Sequence, residues 1–389
     1  MLNGLKKINL AFILENLGSW EGEKNYIYSL LSALNHFQKK TIKVKIITSK
    51  NNAQYLEKLN LSNINIIQSN FLSEKTFLNL LRKVSGKIFK YYDPIILYFK
   101  KKYKIDLISH YRPTYFTKTI CWLPDFQHYH YPENFIKKEI KRRNNLYENI
   151  IDNSNLVLLS SNDSIKDLKK FKKNKRINYK KLNFTPYINF NLLKKNIIQK
   201  KYNIKKNYFI VPNQFWKHKN HICLVNAINF IKKNKINFQI ILTGDKKSQF
   251  DSSVFNEFIK EIKKYKLQDV FSYLGKVPYH DLINLIYNSQ AVINPSYFEG
   301  WSTIVEEAKI LNKHIILSNI KVHVEQKPQK SFYFNPNDPK KLSKILVKLS
   351  RKKLNIIDKN NLNSNFTIKR KLFANNFVKI VNYVHYRLR

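Results

Sequence analysis

The stretch AVINPSYFEGWSTIVEEAKIL, residues 291–311, decides the fold. AVINPS is a short apolar run of strand character and TIVEEAKIL has apolar residues at helical spacing, so YFEGWS between them is a strand-to-helix loop. Ligands bind open α/β sheets beyond the carboxyl ends of the strands, which is where this loop sits. Thr303 followed by Glu306 reads as a capping box, with Thr303 as N-cap and Glu306 returning to its backbone N–H. The helix start presents unpaired N–H groups and a partial positive charge, which suits a phosphate, and Gly300 lets the backbone approach a ligand. Glu299 before the turn and Glu307 in the first turn are then carboxylates beside an anion site, suited to accept hydrogen bonds from sugar hydroxyls. The residues alone equally allow Glu307 to complement the helix dipole and Glu299 to be a surface acid.

The same strand-then-helix rhythm runs through the chain. Apolar runs rich in β-branched residues occur at 8–14, 44–49, 105–110, 119–124 and 155–160, and again at 208–213, 238–244, 270–275, 291–296 and 314–319, with amphipathic segments between them. Two doubly wound, Rossmann-like α/β units follow. Their expected boundaries are 1–190 for the first, 191–207 for a basic linker and 208–370 for the second. Residues 371–389 form a terminal helix that packs back on the first. The strand-end loops expected to meet ligands are 15–25, 125–133, 213–221, 244–247 and 296–303.

Composition sets the outer limits. With 389 residues the chain suits two domains, and 43% hydrophobic residues, including 24 Tyr and 26 Phe, build cores rather than a disordered chain. Lys and Arg number 71 against 26 acids, a formal net charge of +45. That excess attracts phosphate on a nucleic acid, an anionic membrane surface or a small ligand. Cys121 and Cys223 stand alone without zinc spacing, which fits a reducing cytoplasm. No apolar run approaches the roughly 18–20 residues that cross a bilayer, and the amino terminus reads into a strand without a cleavage site.

Two further loops carry chemistry. VPNQFWKHKNH, 211–221, joins a strand to a helix and puts Lys219 where a compact cation would meet a departing diphosphate, or else among the chain's many solvated lysines. CWLPDFQHYHYPENF, 121–135, follows a first-half strand, and Asp125 or His128 could orient or deprotonate an acceptor hydroxyl; a capped turn with an exposed His has the same spacing.

PSYFEGWSTIVEEAKILNKHIILSNI resembles the E-x7-E segment of retaining GT-B glycosyltransferases, the group-1 type also called family 4, and NQFWKHKNH and DFQH resemble elements of a bacterial branch of it. The resemblance covers most of the second half and scattered parts of the first, and it implies two units facing across a cleft. It further implies donor-sugar contact at Glu299, backbone contacts at Gly300, Trp301 and Ser302, diphosphate at Thr303 and the amides after it, and ribose at Glu307. Relatives often carry Arg where Asn213 stands, so the diphosphate rests on Lys219 with help from His218 or a backbone amide. Pro124 replaces a frequent His before Asp125. The amino-terminal LGSWEGEKN is similar to the family's glycine-rich loop, with Gly22 the single glycine of the usual pair. SSNDSIKDL, 160–168, resembles a family element that caps a helix.

The expectation is therefore transfer of a hexose-type sugar from a GDP- or UDP-linked donor to the hydroxyl of a saccharide or lipid-linked saccharide, with retention, in surface polysaccharide or lipopolysaccharide assembly. No metal and no other cofactor are expected, and no Asp-x-Asp metal motif is present. The chain is expected in the cytoplasm, with the basic surface offering attachment to the inner face of the membrane. The rivals are a basic nucleic-acid-binding protein, which lacks a basic-aromatic recognition module here, and a GT-B nucleotide-sugar epimerase or phosphorylase.

Overall fold

The computed structural model describes residues 7–15, 21–38, 41–57, 59–74, 76–89, 92–173, 176–204, 207–233, 236–247, 252–353 and 359–388. The chain divides into two compact units. The first holds Met1–His128, Ile136–Tyr187 and Ile368–Arg389, and the second Tyr129–Phe135 and Ile188–Thr367.

Among the described residues of the first unit seven strands form one sheet: β1 (Ile8–Leu14), β2 (Ile42–Thr48), β3 (Asn65–Gln68), β4 (Leu107–Ser109), β5 (Lys118–Trp122), β6 (Leu156–Leu159) and β7 (Tyr179–Lys181). Their order is β3-β2-β1-β4-β5-β6-β7 and every pairing is parallel. The central strands are buried almost throughout, as expected of parallel strands covered on both faces. Two apolar clusters pack on them, one including Phe99 with Ala11 of β1 and Ile108 of β4, the other including Phe126, Tyr147 and Leu168 with Cys121 of β5.

Among its described residues the second unit has six: β8 (Asn207–Pro212), β9 (Phe238–Thr243), β10 (Phe271–Tyr273), β11 (Ala291–Asn294), β12 (His314–Ser318) and β13 (Ser331–Phe334). They run β10-β9-β8-β11-β12-β13, again all parallel. Both sheets follow one winding, in which the chain builds outward from β1 or β8, returns to its other side and builds outward again. The switch points lie between β1 and β4 and between β8 and β11, and the loops beyond the carboxyl ends there are the natural ligand sites.

Three strands, β3, β7 and β13, were not legible as apolar runs. Each is short, half-exposed and at a sheet edge, so it lacks the continuous apolar signal of a central strand. SSNDSIKDL does cap a helix: Ser161 Oγ accepts from Ser164 N at 3.0 Å and opens Asn162–Phe171. Gly22 lies in the first turn of the helix Glu21–Phe37 rather than in an open loop, and residues 16–20 before it are outside the described residues.

The last helix, Lys359–Arg387, is longer than its apolar spacing suggested. Phe366 packs on Phe190 within the second unit, while Phe377 is fully buried against Phe12 in the first. Phe377→Ala should therefore destabilise the protein by about 3–5 kcal/mol, the cost of emptying a buried aromatic site. Urea unfolding measures this, and a loss under about 1 kcal/mol would show that the terminal helix is not part of the core.

Candidate functional site

Two loops leave the switch point of the second sheet. After β8 the chain passes through Asn213 and a single 3-10 turn, Lys217–Lys219, before the helix Ile222–Ile231. After β11 it runs through residues 295–302 into the helix Thr303–Ile310. A backbone bond from Tyr297 N to His218 O, 2.8 Å, ties the loops together. Gly244, after β9, adopts φ +121°, and a Cβ there would lie 2.6 Å from the Asn213 carbonyl, so only glycine lets this third loop come so close.

Lys219 and Glu299, picked out separately in the sequence, meet here. The Lys219 ammonium lies 2.8 and 2.9 Å from the two oxygens of Glu299, with side chains 17% and 9% exposed. Asn294, the fully buried last residue of β11, organises the pair: its amide gives one hydrogen to Glu299 Oε1 at 3.1 Å and the other to Ser302 Oγ at 2.9 Å, and its oxygen accepts from Asn213 Nδ2 at 3.2 Å. Ser296 Oγ sits 2.8 Å from Glu299 Oε1 and 2.6 Å from Asn294 Oδ1, with one hydrogen to give. Burial would raise the Glu299 carboxyl, but the adjoining ammonium overrides it and holds the group at about 2.

Three histidines surround this pair without adding charge. Burial, reinforced by Lys219, pushes His218 and His221 down to about 3. His323 is likewise lowered by burial, against the pull of Glu299. Its Nδ1 donates to Ser318 O at 2.9 Å, which makes the buried Nε2 an acceptor with no partner among the described residues. His218 is thus a neutral ring among Trp216, Tyr131 and Phe298, not a second cation.

The capping box expected at Thr303 and Glu306 does not form. Ser302 is the N-cap residue and makes no side-chain cap, because its hydroxyl serves Asn294. Glu306 Oε1 instead accepts from Lys309 Nζ and Gln326 Nε2, both at 2.9 Å, and Gln326 also holds Ser302 O. The first-turn N–H groups are therefore not taken by a capping side chain. Glu307 lies in the second turn, not the first, and is buried. Tyr279 OH donates to its Oε1 at 2.8 Å, while Oε2 has no partner among the described residues, and burial raises the carboxyl to about 8. Trp301 Nε1 is also buried without a partner among the described residues.

Asp125 and His128 belong to the first unit. Asp125 Oδ1 accepts from Gln127 N at 2.9 Å, a turn-forming role. His128 is not exposed at a rim: its ring is buried edge-on against Tyr147, 4.8 Å away, and burial lowers it to about 4. His130 and Tyr131 pack with the second unit, both against Phe298, the neighbour of Glu299.

Residues 194–366, nearly all of the second unit, match the model of "Glycosyl transferases group 1". The second unit is thus similar to a group 1 glycosyltransferase domain. The O-antigen chain mannosyltransferase RfbU of Salmonella typhimurium is 27% identical over 300 residues, 76% of this chain and 78% of that protein. A glycosyltransferase structure from Rickettsia africae superposes with TM-score 0.66 at 17% identity, covering 98% of this chain and 100% of that one. Anabaena HepE, solved with UDP and glucose, gives 0.62 at 14% identity over 96% and 97%. The fold is thus GT-B, two Rossmann-like α/β domains.

The ion pair makes a stability prediction. Lys219→Met leaves a carboxylate buried without its counter-charge and should cost about 3–5 kcal/mol. Adding Glu299→Gln should recover most of that loss in urea unfolding, and equal destabilisation of single and double variants would contradict the pairing. Because the folded Glu299 carboxyl is held low, its contribution is complete above the ordinary carboxylate range and is lost as pH falls towards about 2.

Proposed function

We propose that this protein is a glycosyltransferase that moves a hexose from a nucleotide diphosphate sugar to an acceptor hydroxyl with retention, in surface polysaccharide or lipopolysaccharide assembly. The observation that carries the reading is the Lys219–Glu299 pair set by Asn294 beside a helix start whose amides no side chain caps. Two N–H groups of Lys219 face Glu299, and the third is available to a leaving diphosphate oxygen. The amides from Thr303 onward, with the backbone of Gly300, Trp301 and Ser302, would receive the remaining phosphate charge. Asn213 then supports the site through Asn294 rather than replacing an Arg.

Retention without a glycosyl–enzyme bond fits the state of Glu299. A carboxylate already held by an ammonium and an amide is a poor nucleophile, and its role is to fix Lys219 and meet sugar hydroxyls. The leaving diphosphate would take the acceptor's proton. Mannose is the first sugar to try, since that is the sugar named for the Salmonella relative. Among the described residues no helix is long and apolar enough to cross a membrane, and the charge of +45 supports attachment to an anionic membrane face where a lipid-linked acceptor would lie.

Glu307 supplies the test. Ribose hydroxyls donate best to an ionised carboxylate, and this one ionises at about 8. Donor affinity should therefore rise roughly tenfold between pH 7 and pH 9 as the binding-competent fraction grows. A panel of GDP- and UDP-sugars read by thermal stabilisation should single out one base, and Glu307→Gln should weaken that donor and flatten its pH dependence. A donor whose affinity ignores both pH and this substitution would remove Glu307 from the site, and no response to any nucleotide sugar would overturn the proposed function.

A further inference from the structure

The helix Phe77–Ile88 in the first unit is built inside out. Its inward face is polar. Arg82 is buried, paired with Glu15 at 2.6 Å and bonded to Phe71 O at 3.1 Å, and Asn79 is buried beside it. Ser85 Oγ donates to Asp93 at 2.8 Å, and Asp93 pairs with Arg112 at 2.5 Å. Arg112 lies so close to the helix backbone that a Cβ on Gly86 would meet its guanidinium at 2.7 Å.

The outward face is apolar. At about 100° per residue, Phe77, Leu80, Leu81, Val84 and Ile88 fall within an arc of about 100°, opposite Arg82, Asn79 and Gly86. All five are exposed, Phe77 to 72% and Ile88 to 66%. Those ion pairs and hydrogen bonds anchor the polar side of the helix inward and leave its apolar side facing outward. Its surface suits an apolar neighbour.

Charge decides which neighbour. Lys83 and Lys87 are exposed along one edge of the apolar stripe. Residues 77–104 contain eight Lys or Arg and a single acid, Asp93, which is buried against Arg112. Tyr92 and Tyr115, both exposed, stack with ring centroids 4.6 Å apart in the same part of the unit, and such amphipathic rings favour the lipid headgroup level. An exposed apolar stripe edged by lysines matches an anionic interface in both polarity and sign.

We propose that the outer face of Phe77–Ile88 docks this chain on an anionic lipid bilayer. The inference deepens the membrane attachment proposed above by naming its surface, and it rests on none of the donor-site residues.

Sedimentation of the full chain with vesicles tests it. The expected result at 0.15 M salt is binding to phosphatidylcholine vesicles containing one third phosphatidylglycerol and at least tenfold weaker binding to phosphatidylcholine alone. Phe77→Gln with Leu81→Gln, exposed positions given a good helix former, should lower binding to the anionic vesicles at least tenfold while melting temperature and response to nucleotide sugar stay unchanged. Wild-type binding by that variant would overturn the surface assignment. Failure of the wild type to bind anionic vesicles would overturn the membrane occupant, and with the nucleotide-sugar response intact it would leave the glycosyl-transfer reading standing. A wild-type dimer in light scattering that the paired substitution converts to monomer, with vesicle binding unaltered, would instead make the face a contact between copies.

Discussion

The second unit is organised around one buried charge pair. Glu299 would be costly to bury alone, and Lys219 would lose its fixed position without Glu299. Their meeting depends on strand order: β8 and β11 are neighbours only because the sheet reverses its direction of growth between them. Asn294 turns that topological fact into chemistry, since one buried amide reaches Glu299, Ser302 and Asn213 together. The loop after β8, the loop after β11 and the first turn of Thr303–Ile310 are thereby held in one register, with the pair neutral overall and the helix amides uncapped. That is a suitable resting state for a site whose ligand brings negative charge.

Burial sets the protonation of this site more than the net charge of the chain does. The excess of 45 positive charges surrounds a centre whose histidines are neutral and whose second carboxyl, Glu307, is held as an acid up to about 8. Glu299 and Glu307 stand eight positions apart and are both buried, but an ammonium overrides burial at the first while only a tyrosine hydroxyl opposes it at the second, so the first is held low and the second is raised. The first is fixed in charge; the second would change charge on accepting a ligand's hydroxyls.

Much of this was legible in the sequence. Continuous apolar runs revealed ten strands, the edge strand β10 among them, and the switch from strand to helical spacing at residues 296–303 placed the loop. Short edge strands escaped because half-exposed segments such as NIIQ and SFYF carry no buried run. The cap was misplaced because Ser302 and Glu306 are recruited by Asn294 and Gln326, partners distant in the chain or hidden in the fold. Lys219 and Glu299 were each visible, but their pairing spans 80 residues and follows only from the order of strands. His323 and Tyr279 gave no local signal; only the buried Nε2 and the bond to Glu307 bring them into view. The burial of His128 is also hidden from its local sequence, since the aromatic neighbours that bury it come from other helices.

The central claim is that Lys219 and Glu299 act on the donor and do not merely hold two loops together. The direct measurement is nucleoside diphosphate release, with the donor selected by binding, in the double variant Lys219→Met with Glu299→Gln, whose fold is verified by urea unfolding. The account predicts a folded protein with turnover reduced at least a hundredfold, the scale of losing one preorganised electrostatic contact to a developing charge. Turnover at the wild-type rate in that folded double variant would contradict it and leave the pair a structural clamp.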